Sequence, residues 1–302
     1  MTAKAISFVN MKGGVGKTTL TINIGNQLAK EGHKVLIVDM DPQFNATQSL
    51  LLYKTRIDRC LNINEANEED IVKQEISSTK DYKQLSEHKQ TVLQIFESSN
   101  IDSPLSNPSL AQRIIDNLFL IPGDLMLAKE ISGDTANKVG ALMGHLNNTN
   151  IVNDYEYILI DCPPTWSILT HSSLFASDFY VIPSKVDLYS EIGIELLENQ
   201  IREKITKDPV YTMLSYKNIK RLGIIFTLVY RTVKAEEERK NYLKEKFPTI
   251  DFFETDIPNF PSVPTKFIMY DEIKHDSKYI QLTNSIEKIT SELVSKIRRE
   301  DE

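Results

Sequence analysis

Cysteine is nearly absent from this chain, with only Cys60 and Cys162 in 302 residues. Two distant cysteines supply neither a disulfide framework nor the paired spacing of a metal or cluster site, and two reduced thiols are expected. No apolar run approaches the roughly 20 residues needed to span a bilayer. The first residues, Met1-Thr2-Ala3-Lys4, lead straight into a short apolar run and then a polar, glycine-rich stretch, without the longer apolar core of a secretory signal. A cytoplasmic location is therefore expected. There is one tryptophan, Trp166, and no internal repeat or low-complexity tract. The formal net charge is −7, so binding to a polyanion through bulk charge is not expected. The charge is uneven, however. Between Ile201 and Arg299, 19 Lys and Arg stand against 14 Asp and Glu, which leaves the C-terminal third basic and the remainder strongly acidic.

What is present is an alternation of short apolar runs and helical patterns. Ile6-Ser7-Phe8-Val9, Val35-Leu36-Ile37-Val38, Leu118-Phe119-Leu120-Ile121, Tyr157-Ile158-Leu159-Ile160, Phe179-Tyr180-Val181-Ile182 and Leu222-Gly223-Ile224-Ile225-Phe226 read as buried strands. Helical spacing fills Thr18 to Lys30, about Ser190 to Thr206, and Lys234 to Lys246. The pattern predicts an α/β fold, a doubly wound, mainly parallel sheet with helices on both faces. Residues 1–302 are expected to form a single domain. A polar stretch at about 53–117, without a strong strand, reads as a helical insertion on one flank of the sheet, and Ser103-Pro104-Leu105-Ser106-Asn107-Pro108 within it reads as a loop. Ligands of such sheets gather at the carboxyl ends of the strands.

One segment falls at that edge with a defined chemistry. Lys12-Gly13-Gly14-Val15-Gly16-Lys17-Thr18-Thr19 lies between the first strand and the first helix. Glycines let backbone N–H groups curl around an anion, and the helix that follows directs its positive dipole end at the same place. Lys17 can reach β- and γ-phosphates, and the Thr18 hydroxyl can ligate Mg²⁺. The ordinary phosphate-loop pattern is incomplete, because its first glycine falls on Met11, and an additional lysine, Lys12, appears instead. Asp39 and Asp41 follow the second strand, and Asp161 follows the fourth apolar run.

These motifs resemble those of the ParA family, DNA-partitioning ATPases of the ParA/MinD superfamily. Lys12 to Thr19 is similar to the deviant Walker A motif. Val38-Asp39-Met40-Asp41-Pro42-Gln43-Phe44-Asn45-Ala46-Thr47 is similar to the next ParA motif, with Phe44 where a glycine is usual. Ile158-Leu159-Ile160-Asp161-Cys162-Pro163-Pro164 resembles the Walker B segment. Ile257-Pro258 with Lys266-Phe267-Ile268-Met269-Tyr270-Asp271 resembles the adenine-side segment.

The resemblance implies ATP and Mg²⁺ as cofactors, Lys17 and the loop amides of 13–19 on the phosphates, and Asp41 at the attacking water. It further implies Thr18, Asp39 and Asp161 around the metal, and Thr227 and Pro258 near adenine. Lys12 is implied to reach a partner's phosphates in an ATP-bound homodimer. A ParB-like, centromere-binding protein is the implied partner, with non-specific DNA bound by the dimer on the nucleoid. Candidate DNA contacts are Arg202, Lys217, Lys220, Arg221, Arg231, Lys234, Lys266, Lys274 and Lys278. The first strand begins so early that no helix-turn-helix domain is expected ahead of it. The alternative is MinD-like positioning at a membrane, which needs a basic amphipathic C-terminal helix. Ile286, Ile289, Leu293 and Ile297 do form a stripe, but such a stripe more often packs on its own domain, and the chain ends in Glu300-Asp301-Glu302. No stable membrane association is expected. A metal-cluster ATPase, the third class that shares this loop, lacks its cysteines.

Overall fold

The computed structural model describes residues 2–60, 68–97, 110–130, 138–207, 218–230, 233–260 and 269–301. In chain order its elements are β1 (Lys4–Phe8), α1 (Lys17–Lys30), β2 (Val35–Asp39), α2 (Asn45–Asp58), α3 (Glu68–Glu87), α4 (Leu93–Glu97), β3 (Gln112–Ile115), β4 (Leu118–Ile121), α5 (Leu127–Glu130), α6 (Ala141–Asn148), α7 (Ile151–Asp154), β5 (Tyr157–Asp161), α8 (Ile168–Phe175), β6 (Phe179–Lys185), α9 (Ser190–Ile201), β7 (Lys220–Thr227), α10 (Lys234–Lys246) and α11 (Ile280–Asp301).

The seven strands form one sheet in the order β3-β4-β2-β5-β1-β6-β7. Every pairing is parallel except β3 with β4. Strand residues alternate into two cores, as a sheet covered on both faces requires. Leu36, Val38, Ile158 and Ile160 enter one core with residues of α6, α8 and α9. Ile37 and Leu159 enter the other with Leu20, Ile24 and Leu28 of α1 and with Ile286, Ile289, Leu293 and Ile297 of α11. The apolar stripe of the terminal helix is thus spent on its own sheet.

Two sequence expectations change. The 53–117 stretch holds α3 and α4, but it closes with a strand, β3. This four-residue edge strand is only partly buried, and a register shift between Arg113 and Ile115 breaks its alternation, so its pattern is faint. The predicted helix over Ser190–Thr206 ends as an α-helix at Ile201 and runs on through one π-helical turn, Arg202–Thr206. The loop expected at Ser103 to Pro108 lies outside the described residues.

Pairing sets the site's geometry. β2 and β5 place Asp39 opposite Asp161, and β1 places Phe8 opposite Asp161. Both aspartates therefore stand at the carboxyl edge, next to the loop that leaves β1.

Candidate nucleotide site

The segment between β1 and α1 closes on itself. Gly14 and Gly16 take φ of 65° and 82°, which a residue with a Cβ adopts only under strain, and Gly16 directly precedes α1. Asn10 ties the start of the segment to β6. Its amide donates to the Pro183 carbonyl at 2.7 Å, and its Oδ1 accepts the Lys12 N–H at 2.9 Å. Thr227, at the end of β7, donates its hydroxyl to the Val15 carbonyl at 2.7 Å.

Lys17 is buried, and its ammonium donates to the carbonyls of Asn10 at 3.1 Å and Lys12 at 3.0 Å. Burial lowers its pKa, and Asp161, Cys162 and Asp41 oppose that shift. A buried ammonium held only by backbone oxygens and set beside carboxylates is poised for a stronger anionic ligand. Lys12 differs. Its ammonium pairs with Asp187 of the same chain and lies 5.9 Å from the Tyr189 ring centre. Burial raises the Asp187 carboxyl, but bonds from Lys12 and Ser190 outweigh it and hold the group below its ordinary value.

The carboxylates form a graded set. Asp161 is fully buried; its Oδ2 accepts the Thr18 hydroxyl at 2.7 Å, while Oδ1 has no hydrogen-bond partner. Its pKa is raised, first by burial and then by Asp39. Asp39 is pushed up to about 7 by burial, although Thr47 donates both its N–H, at 2.8 Å, and its hydroxyl, at 2.7 Å, to Oδ2. The Asp41 N–H reaches Asp39 Oδ1 at 3.3 Å. Asp41 is raised by burial too, and its carboxylate accepts the Gln43 N–H at 2.9 Å.

A divalent cation fits this donor set. The orphaned Asp161 Oδ1 beside the Thr18 hydroxyl offers an anionic oxygen with nothing bound to it. No group of three or more His, Cys, Asp or Glu side chains forms a metal cage among the described residues. Mg²⁺ keeps its waters and takes few protein ligands, so the Asp161 oxygen and the Thr18 hydroxyl fit it. Both Asp39 oxygens are occupied by protein donors, so it braces the Asp41 turn and faces Asp161 across the sheet edge.

The structure therefore gathers Lys17, Thr18, Asp39, Asp41 and Asp161 at one place. Thr227 touches the loop itself, and Pro258 pairs with Val229 just beyond β7. The candidate DNA contacts are dispersed. Lys220 and Arg221 open β7 at the edge away from the loop, where Lys220 pairs with Glu300 and Arg221 with Glu198. Lys234 begins α10, Arg202 contacts Asn199, Lys274 pairs with Asp271, and Lys278 lies over Tyr279. Lys217, Arg231 and Lys266 lie outside the described residues. Sequence reasoning missed Asn10, Asp187 and the bonds of Thr47. Thr47 stood within a recognised motif, but nothing in the sequence joins Asp187 to a loop 170 residues away.

A doubly wound sheet, a glycine loop opening a helix, and Thr18 bonded to Asp161 beside that loop define a P-loop nucleoside triphosphatase. Comparisons with known proteins narrow the class. A family model described as an AAA domain matches residues 3–213. The chromosome-partitioning ATPase Soj of Treponema pallidum is 30% identical over 239 residues, 78% of this chain and 75% of that protein. The sporulation initiation inhibitor protein Soj of Bacillus subtilis is 27% identical over 289 residues, 94% of this chain and 98% of that protein. A plasmid partition protein of Borrelia burgdorferi B31, solved with AMPPNP, superposes with a TM-score of 0.67 at 21% identity, covering 98% of this chain and 99% of the other. The chain belongs to the ParA family of P-loop ATPases within the ParA/MinD superfamily.

Proposed function

We propose that this chain hydrolyses ATP with Mg²⁺ to move DNA, as a partition ATPase of a plasmid or chromosome. The observation that carries the reading is Asp161, with one oxygen bonded by the Thr18 hydroxyl and the other unsatisfied, beside a buried Lys17 held only by carbonyls. The triphosphate accepts the loop N–H groups and replaces the carbonyls on Lys17. Asp161 and Thr18 would hold Mg²⁺, which would supply charge neutralisation for the phosphates. Asp41, kept in place by the Gln43 N–H, orients the attacking water. Thr227 and Pro258 stand on the adenine side.

Lys12 leaves Asp187 and reaches the terminal phosphate of a second copy, so ATP favours a dimer through contacts made only in that state. The dimer binds DNA without sequence preference, using some of the dispersed basic residues. A ParB-like protein stimulates hydrolysis and release. The setting would be the cytoplasm, on the nucleoid. The partition names of the relatives support this reading over membrane positioning. So does α11, whose apolar stripe is already buried against the sheet. Among the described residues, no helix is long and apolar enough to cross a membrane.

The test is sizing plus DNA retention with ADP and with a slowly hydrolysed ATP analogue, across a salt series. The expected result is a dimer and retained DNA with the analogue only, weakening steeply with salt. Lys17→Ala should lose nucleotide binding. Lys12→Ala should keep binding but lose dimer and turnover, and Asp41→Ala should stay dimeric and on DNA. Retention on anionic vesicles in place of DNA would sink the proposal.

A further inference from the structure

Phe44 occupies a position that favours glycine. It precedes α2 with φ of 41° and ψ of 37°, in the left-handed region that a residue with a Cβ enters at a cost. The turn it closes is the one that carries Asp41. The Phe44 N–H donates to the Asp41 carbonyl at 2.8 Å, and the Gln43 N–H donates to the Asp41 carboxylate. A glycine would relieve the strain but could not stack. The Phe44 ring lies on Tyr82 of α3, with centroids 4.5 Å apart and planes 11° from parallel.

Both rings are fixed from outside. The Tyr82 hydroxyl accepts the Leu125 N–H at 3.4 Å. Behind Phe44 stands Gly123, where an added Cβ would come 2.9 Å from the Phe44 Cβ and 3.0 Å from the Asp39 Cγ. The Gly123 N–H donates to the Thr47 hydroxyl, which in turn holds Asp39. Phe44 thus has its Cβ beside Gly123 and its ring on Tyr82. α3 itself is anchored by Arg56, which donates to Gln74 at 3.1 Å and pairs with Glu272.

We infer that Tyr82 is a positioning residue for the reaction: its ring holds Phe44 in the left-handed conformation and so keeps the Asp41 turn in shape for the attacking water. This rests on the role proposed for Asp41. It gives α3, outside the shared motifs, a part in setting the turnover rate. Without the Tyr82 ring the strained φ of Phe44 loses its compensation, the turn relaxes, and the two bonds that hold Asp41 weaken. Phosphate binding depends on 13–18 and is untouched.

The test is steady-state ATP turnover with Mg²⁺ in the full chain, separating kcat from KM. Tyr82→Ala should lower kcat roughly three- to tenfold, the scale of one lost aromatic pair, with KM for ATP unchanged. Tyr82→Leu, which refills the space without a ring, should fall equally. Tyr82→Phe should turn over like the parent. Adding Phe44→Gly to Tyr82→Ala should recover most of the loss, because glycine holds the turn unaided. Parent-like kcat in Tyr82→Ala and Tyr82→Leu, a loss confined to KM, or a Tyr82→Phe as slow as Tyr82→Ala would overturn the inference. Asp41→Ala is run beside them. If it is inactive while Tyr82→Ala is normal, only the role of Tyr82 fails; if it turns over normally, the role of Asp41 fails and the inference falls with it.

Discussion

Asp161 carries an uncompensated electrostatic cost in the site. A fully buried carboxylate with one orphaned oxygen, facing Asp39, is disfavoured in its charged form. A folded-state pKa raised above the unfolded value adds stability that is fully present below the unfolded pKa near 3.8 and is lost as pH rises through the folded one. Asp39, at about 7, acts in the same direction. Without nucleotide, the protein should therefore give up stability from these groups as pH climbs from about 4 past neutrality. Asp161→Asn keeps an oxygen to accept from Thr18 and cannot ionise. It should melt at a higher temperature than the parent at pH 8 without nucleotide, and should lose most of the further rise that Mg²⁺ and ATP give the parent. Thermal denaturation with and without nucleotide at pH 5 and 8 decides it. An Asn variant less stable than the parent at pH 8 would show that the buried charge is already compensated within the chain.

At the scale of elements, six of the seven strands could be read in the sequence because parallel strands buried on both faces are continuous apolar runs. β3 was hidden because it is an edge, with Arg113 exposed. A local signal did exist in Asp116-Asn117 between two apolar pairs, and Asn117 takes φ of 63° at the hairpin. The phosphate loop, Asp39, Asp41 and Asp161 were legible because their chemistry sits in contiguous motifs at strand ends. Asn10, Asp187 and Tyr82 were not, since each acts through a contact that exists only after the sheet forms. α11 shows how pattern alone leaves function open. Its stripe more often packs on its own domain but also suits a lipid surface, and the fold places it in the core. Leu293 is fully buried there. Leu293→Ala should cost roughly 2–5 kcal/mol in urea unfolding, whereas a helix that served lipid would tolerate the change. A loss under about 0.5 kcal/mol, the usual range for a surface substitution, would reopen the membrane alternative.

For the whole molecule, the proposed ATP-dependent dimer raises the question of how one copy would be kept from engaging another before ATP arrives. Lys12, the residue proposed to cross between copies, is held by Asp187 within its own chain. Asp187 follows β6, and Leu188, Tyr189 and Ile192 beside it are exposed, so the latch lies on open surface near the phosphate loop. Its two side chains are 40% and 33% exposed, and pairs so open to water typically contribute only about 0.2–1 kcal/mol. A latch that weak cannot block assembly; it can only set the threshold. Asp187→Asn should free Lys12 in both copies and strengthen ATP-dependent dimerisation by no more than about thirtyfold, the factor that two such latches of about 1 kcal/mol each represent. The ADP-bound protein should remain monomeric, because the terminal phosphate that Lys12 would reach is absent. Sedimentation at several protein concentrations, with ADP and with a slowly hydrolysed ATP analogue, measures both. If Asp187→Asn dimerised less readily than the parent, Asp187 would instead belong to the contact between copies, and Lys12 would keep its carboxylate partner in the assembled state.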